Sequence, residues 1–180
     1  MAVLTCNPSN RATVINSCVA GDVLLHEAGT YSSWSWKSGV TFRAIDWTPW
    51  RAIEGTYGHY GAGFGCRITK PDISISSSFT GVKWEGFWHD VRGDTNTGFT
   101  NNLVVSSPGF EARDFCVTGI KANGGRNIYC TVLDPVAGAN ILFERFRING
   151  VGQPNQSLDH AFYFECPDGW SGTPFTSHLS

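Results

Sequence analysis

Four segments of this chain place apolar or small residues at the same offsets, 0, +2 and +5, and a recurrence of that kind restricts the fold more than any local propensity does. They are Val40-Thr-Phe42-Arg-Ala-Ile45, Val82-Lys-Trp84-Glu-Gly-Phe87, Phe110-Glu-Ala112-Arg-Asp-Phe115 and Ile141-Leu-Phe143-Glu-Arg-Phe146, and Trp47, His89, Val117 and Ile148 continue the series at +7. Offsets 0 and +2 are strand alternation, whereas the step of three to +5 requires a bend before alternation resumes. A strand that bends and continues is one side of a solenoid coil. The starts at 40, 82, 110 and 141 lie 42, 28 and 31 residues apart, so the first interval carries an insertion.

A second series supplies the inward pairs Val23/Leu25, Leu103/Val105, Ile128/Cys130 and Phe162/Phe164, with Leu24, Val104, Tyr129 and Tyr163 pointing outward between them. Between Leu25 and Leu103 two pairs fit, Cys66/Ile68 and Ile73/Ile75, and periodicity does not choose. Stacked coils pair each strand with its equivalent one turn on, about 4.8 Å away. The solvent-facing +3 positions then read Arg43, Glu85, Arg113, Glu144, opposite charges one rung apart, each pair worth a few tenths to about 1 kcal/mol.

Composition agrees with a β architecture. A single Met and scarce Lys, Glu and Leu, against seven Trp and twelve Phe, disfavour helices; the aromatics either fill a core or offer platforms to flat ligands. A chain of 180 residues is one domain, able to bury roughly 70% of its unfolded surface. The net charge of −2 without a basic run argues against nucleic acid. No apolar stretch approaches the roughly 20 residues of a membrane helix, and the first residues are too short and too polar a run for a secretory h-region, which leaves open both a leader already removed and none at all.

With these motifs in place, the chain resembles the right-handed parallel β-helix proteins of the pectate-lyase-like superfamily. Arg11 to Tyr31 resembles their N-terminal entry, a short capping helix leading into Gly-Asp, a first strand and an Ala-Gly-Thr-Tyr turn, followed by the strand Gly39 to Arg43. Ala139 to Gly150 and Asp159 to Phe164 resemble interior rungs. The resemblance implies an all-β parallel β-helix of about four coils: a cap over 1–22, the helix over 23–165 with an aromatic Gly-rich insertion at 47–65, and a tail at 166–180 with no obvious next rung. An open final rung would leave unpaired strand edges for a second copy or an end-to-end contact to cover. The motifs are structural, shared by lyases, hydrolases, epimerases and phage tailspikes, and so say little about chemistry.

The resemblance also implies a polysaccharide as partner, a location outside the cell or on a cell or virion surface, and a site on the outer surface of the first strand after the cap and its equivalents, in the groove between their flanking loops. Tyr129, Tyr163, Arg126, Asp159, His160 and Glu165 would line it. β-Elimination or epimerisation of an acidic polysaccharide needs a base and a cation for the substrate carboxylate. His160 or Arg126 would be the base, Tyr163 a proton donor or stacking partner, and Asp159 a neighbour of the base. The competing account ends a loop with Asp159 and His160 bonded to backbone. Asp159 and Glu165 lie at opposite ends of one strand and form no obvious hydrolytic pair. Trp88-His89-Asp90-Val-Arg92-Gly-Asp94 concentrates a base, two carboxylates and a cation; Asp90 and Asp94 could bind Ca²⁺, the one cofactor the residues suggest, or the segment is a charged turn with His89 half-buried. In the insertion, Trp50, Tyr57, His59 and Tyr60 could grip sugar rings, as could Trp34 and Trp36, or all of these could pack against the fold. The six Cys match no zinc pattern; Cys130 is a small buried hydrophobe, and Cys6 with Cys18 could form a local disulfide in an oxidising compartment. The alternative to an enzyme is a non-catalytic structural or glycan-binding β-helix module.

Overall fold

A computed structural model describes residues 1–45, 65–93, 100–118, 127–133, 140–149, 160–165 and 176–179. The elements in chain order are β1 (Val3–Cys6), α1 (Arg11–Ser17), β2 (Val23–His26), β3 (Gly29–Tyr31), β4 (Thr41–Ala44), β5 (Cys66–Ile68), β6 (Ile73–Ile75), β7 (Lys83–Glu85), β8 (Trp88–Asp90), β9 (Thr100–Val105), β10 (Glu111–Thr118), β11 (Asn127–Leu133), β12 (Asn140–Asn149), β13 (His160–Glu165) and β14 (Thr176–Leu179). Among the described residues the protein is β apart from α1, and every pairing among the described strands is parallel.

The strands stack in three ladders. The first runs β1-β2-β4-β7-β10-β12-β14, the second β3-β5-β8-β10-β12 and the third β6-β9-β11-β13; β10 and β12 are long enough to serve the first two. The offsets read from the sequence are the register of the first ladder: Phe42 pairs with Trp84, Trp84 with Ala112 and Ala112 with Phe143, all fully buried. The required bend is a single residue at +4 in left-handed conformation, Gly86 (φ 81°), Asp114 (φ 52°) and Arg145 (φ 51°). A left-handed residue turns the chain without using extra length, which is why the inward series jumps by three there. At Asp114 and Arg145 the cost of that backbone is offset by their own bidentate pair, Arg145 Nε donating to Asp114 Oδ1 at 2.7 Å and Nη2 to Oδ2 at 2.8 Å.

Of the four aligned rungs, the last has Asn140 at −1, and the other three are entered through a glycine there, Gly39, Gly81 and Gly109, with φ of 69°, 61° and 70°. These stack closely: Gly39 N–H donates to Thr80 O at 2.7 Å, and a Cβ on Gly39 would lie 2.8 Å from that of Ala20.

Several expectations change. Val23 to His26 belongs to the first ladder, Leu24 pairing with Phe42, so Leu24 and His26 point inward where Val23 and Leu25 were expected. The −1 glycine explains it: Gly21-Asp22-Val23-Leu24 is a copy of Gly39-Val40-Thr41-Phe42. Ile73/Ile75 is the pair that matches Leu103/Val105, while Cys66/Ile68 lies in the second ladder. Ile45, expected inside, is 44% exposed, since in that rung the one-residue bend gives way to the insertion. The tail does supply a next rung: β14 pairs with β12 through Asn140↔Thr176 to Phe143↔Leu179.

At the start, the helix is tied down by a buried arginine. Arg11 Nε donates to His26 Nε2 at 3.1 Å, its two terminal nitrogens reach Ser35 Oγ and O at 3.1 and 2.7 Å, and its guanidinium lies 4.0 Å over the Trp34 ring. Since His26 Nε2 accepts, Nδ1 carries the proton and donates to Leu24 O at 3.1 Å, which makes the ring neutral. Burial together with the adjacent Arg11 charge lowers its pKa to about 3. Trp34 and Trp36 are core residues here, 5.7 Å apart edge to face, and grip nothing outside. Cys6 and Cys18 are buried free thiols rather than a disulfide, and burial raises Cys6 to about 11.

Candidate functional site

The set expected on the outer face of the third ladder is only partly in view. His160, Tyr163 and Glu165 are on β13, in register with Ile128, Thr131 and Leu133 of β11. Arg126 and Asp159, like Trp50, Tyr57, His59, Tyr60 and Asp94, lie outside the described residues. Tyr129, expected to point outward, is fully buried. Its ring stacks on Phe115, and its hydroxyl lies 3.3 Å from His89 Nδ1.

His89 is the reason. The +7 position of the repeat, on β8 of the second ladder, carries it completely into the core, not halfway, where its Nε2–H donates to Lys70 O at 2.8 Å. That leaves Nδ1 as an acceptor, and the Tyr129 O–H supplies the proton. Desolvation lowers His89 to about 4 and raises Tyr129 well above an ordinary phenol. The pair is an internal polar link, without access for a substrate.

Next to His89, on the outer side of β8, is a charged cluster built around Asp90. The Asp90 side chain is 1% exposed and is held by two guanidinium groups. Arg67 on β5 donates Nε and Nη2 to Oδ2 at 3.0 and 2.6 Å. Arg92 donates Nε to Oδ1 at 2.9 Å and Nη2 to Oδ2 at 2.7 Å, and its backbone N–H adds a third bond to Oδ1 at 3.1 Å. Burial alone would raise the Asp90 pKa, but these bonds outweigh it and hold it below the usual carboxylate range. Both Asp90 oxygens are thus committed to arginine, and Asp94, the other calcium ligand the sequence suggested, lies outside the described residues. Among the described residues no group of three or more His, Cys, Asp or Glu side chains could hold a metal.

The same two arginines flank an aromatic ring. Arg67 lies 4.9 Å and Arg92 5.6 Å from the centroid of half-buried Trp88, whose Nε1–H reaches across to Thr118 Oγ1 at 3.1 Å. Arg67 and Arg92 remain 40% and 46% exposed while their anchor is covered. Arg67 Nη1 donates to no group among the described residues.

The first ladder carries its own set of ion pairs. There Arg43, Lys83, Arg113 and Arg145 are matched by Glu85, Glu111, Asp114 and Glu144, through contacts that include Arg43–Glu85 at 2.6 Å and Arg113–Glu144 at 3.0 Å. The alternating +3 ladder is real, and it neutralises its own face. On the second ladder Arg67 and Arg92 both pair with Asp90. A fixed guanidinium pair beside an indole can bind a planar carboxylate while the ring takes the apolar face of a sugar. Arg67 escaped sequence reading because its strand was one of two equal choices; the signal was its place between the inward Cys66 and Ile68.

Compared with protein-family models, with curated proteins and with solved structures, the chain matches none of them.

Proposed function

We propose that the chain is a right-handed parallel β-helix that recognises an acidic polysaccharide on the outer face of its second ladder, as a binding module rather than a lyase. Three observations support the helix. The ladders are visited in one repeating order (β4-β5-β6, then β7-β8-β9, then β10-β11, then β12-β13), the bend falls at one offset in successive rungs, and the entry glycines stack. The resemblance of Arg11 to Tyr31 and Ala139 to Gly150 to the pectate-lyase-like proteins points the same way.

One observation carries the functional half: an exposed arginine pair, fixed by a buried carboxylate, against the ring of Trp88. A lyase would need an accessible base, and the two histidines whose side chains are described, His26 and His89, are buried and neutral with both ring nitrogens engaged. A polysaccharide partner places the protein outside the cell or on a cell or virion surface.

The test is calorimetric titration with a polyuronate and with a neutral glucan of equal length, run beside an absorbance assay for unsaturated ends with and without Ca²⁺. Binding of the polyuronate alone, weakened about tenfold by Arg67→Ala, is the expected result. Equal affinity for the neutral glucan removes this reading, and unsaturated ends would replace it with the lyase, with His160 and Arg126 as the first positions to mutate.

A further inference from the structure

The end of the stack that carries β1 and α1 differs from the rest of the molecule in charge. Charged residues make up 16% of the chain, yet between Met1 and Gly21 the one charged side chain is Arg11, and it is buried. Arg11 and Ile15 turn one face of α1 to the core, which leaves Ala12, Thr13, Asn16 and Ser17 exposed on the other. Val3 and Val19, in the same segment, are 61% and 62% exposed. A stack of strands that ends in water needs a polar outer face, and an edge strand is ordinarily guarded by charge, proline or a bulge. β1, Val-Leu-Thr-Cys in unbroken register with β2, has none of these.

Among the described strands β1 ends the first ladder, with β2 on its paired side. Ala2 O and Cys6 O accept from Val23 N–H and Glu27 N–H, both at 2.9 Å. Alternation then turns the Leu4 groups toward β2 as well and points N–H and C=O of Val3 and Thr5 away from it. The outward groups thus stand symmetrically on either side of Leu4.

We propose that this end is a dimer interface, in which β1 pairs antiparallel with β1 of a second copy about a two-fold axis at Leu4. Val3 of each copy then lies opposite Thr5 of the other, and each such pair exchanges both N–H···O=C bonds. Charge selects the occupant. A charged partner would bring its charge against a cap that offers no counter-charge, and burying an unpaired charge is costly, whereas a second copy brings none. The small exposed side chains of α1 let two caps approach closely. None of the residues of the Trp88 site takes part, so the inference is independent of the binding function above.

The experiment is sedimentation of the full chain over a concentration series of about 0.1 to 100 µM, in which a monomer–dimer equilibrium is expected. Val3→Lys supplies the charge that edge strands ordinarily carry, and Thr5→Pro removes one outward N–H while leaving the bonds to β2 in place. Each should weaken the dimer at least about tenfold, with an unchanged circular dichroism spectrum. Val3→Cys mixed with Thr5→Cys should form an intermolecular disulfide on mild oxidation, because opposite residues of a hydrogen-bonded antiparallel pair have Cα atoms about 5.5 Å apart; neither variant should do so alone. A protein that stays monomeric through the whole series overturns the proposal. So does a dimer that both substitutions leave unchanged, since its interface would lie elsewhere. Species that grow beyond two chains would mean head-to-tail stacking, and cross-linking of either variant alone as fast as the mixture would mean another register; either overturns the two-fold at Leu4.

Discussion

His26 and His89 set the acid limit of this fold. Both are neutral in the folded state, with pKa values lowered from 6.5 to about 3 and about 4, while in the unfolded chain they titrate near 6.5. Between those values the unfolded state binds more protons, so stability is complete above about pH 7 and falls as pH drops through 6.5. At pH 5 each costs on the order of 2 kcal/mol. Asp90, also lowered, acts in the same sense but only as pH falls through its unfolded value of 3.8, so it contributes little to the difference between pH 7 and pH 5. Urea unfolding at pH 7 and pH 5 should show the loss, and His89→Gln, whose amide can replace both hydrogen bonds, should remove about half of the difference. An unchanged pH slope in that variant would mean that His89 is not held neutral by burial. At this scale the sequence was informative where the pattern was regular, as for Arg43, Glu85, Arg113 and Glu144. It misled at Tyr129, because strict alternation has no term for a buried histidine that needs a donor.

Among the elements, the corners matter more than the strands. Gly39 combines a positive φ with a neighbour 2.8 Å from any added Cβ, whereas Gly109 has the positive φ but only ordinary contact, 3.6 Å from Gly81. Gly109→Ala should therefore cost about 1 kcal/mol and Gly39→Ala more than about 2, as read by chemical denaturation. Equal costs would show that backbone strain alone decides. The bend residues admit a similar comparison. Asp114→Asn keeps a side chain that tolerates the left-handed region and loses only the ion pair to partly exposed Arg145, a change of about 0.5 kcal/mol; Asp114→Val adds β-branched strain and should cost about 2 or more. The step from +2 to +5 announced these corners, because a bend displaces the apolar positions on either side of it. The ladder that owns β2 was less legible: Val-Leu-Leu-His alternates acceptably in either phase, and only the glycine before it, in the same place as Gly39, selects one.

For the whole molecule, stacking makes each rung depend on its neighbours and little on distant ones, the behaviour of a quasi-one-dimensional solid. Backbone pairings support this, since among the described strands β2 pairs with β1 and β4 and β11 with β9 and β13. Arg11 is the natural probe, being buried at one end with three side-chain hydrogen bonds and a stacked indole. Arg11→Met keeps the length of the side chain but leaves His26 Nε2 and the Ser35 carbonyl without donors, at a cost of about 2 to 3 kcal/mol. In a stacked array that cost falls locally. Hydrogen exchange of the variant should lose protection in β1, β2 and β4, fade by β7, and leave β9 to β12 as slow as in the wild type. Uniform loss from β1 to β12 would instead mean one cooperative core, in which the three ladders share a common interior rather than a succession of rungs. The aromatic contacts make that outcome a serious competitor: Trp34 touches Trp84, Trp84 touches Phe115 and Phe115 touches Phe146, an unbroken file through the interior from the first rung to the last core layer described. The exchange gradient thus measures whether the backbone ladders or the ring file couples the ends of the molecule, a balance that residue spacing alone does not encode.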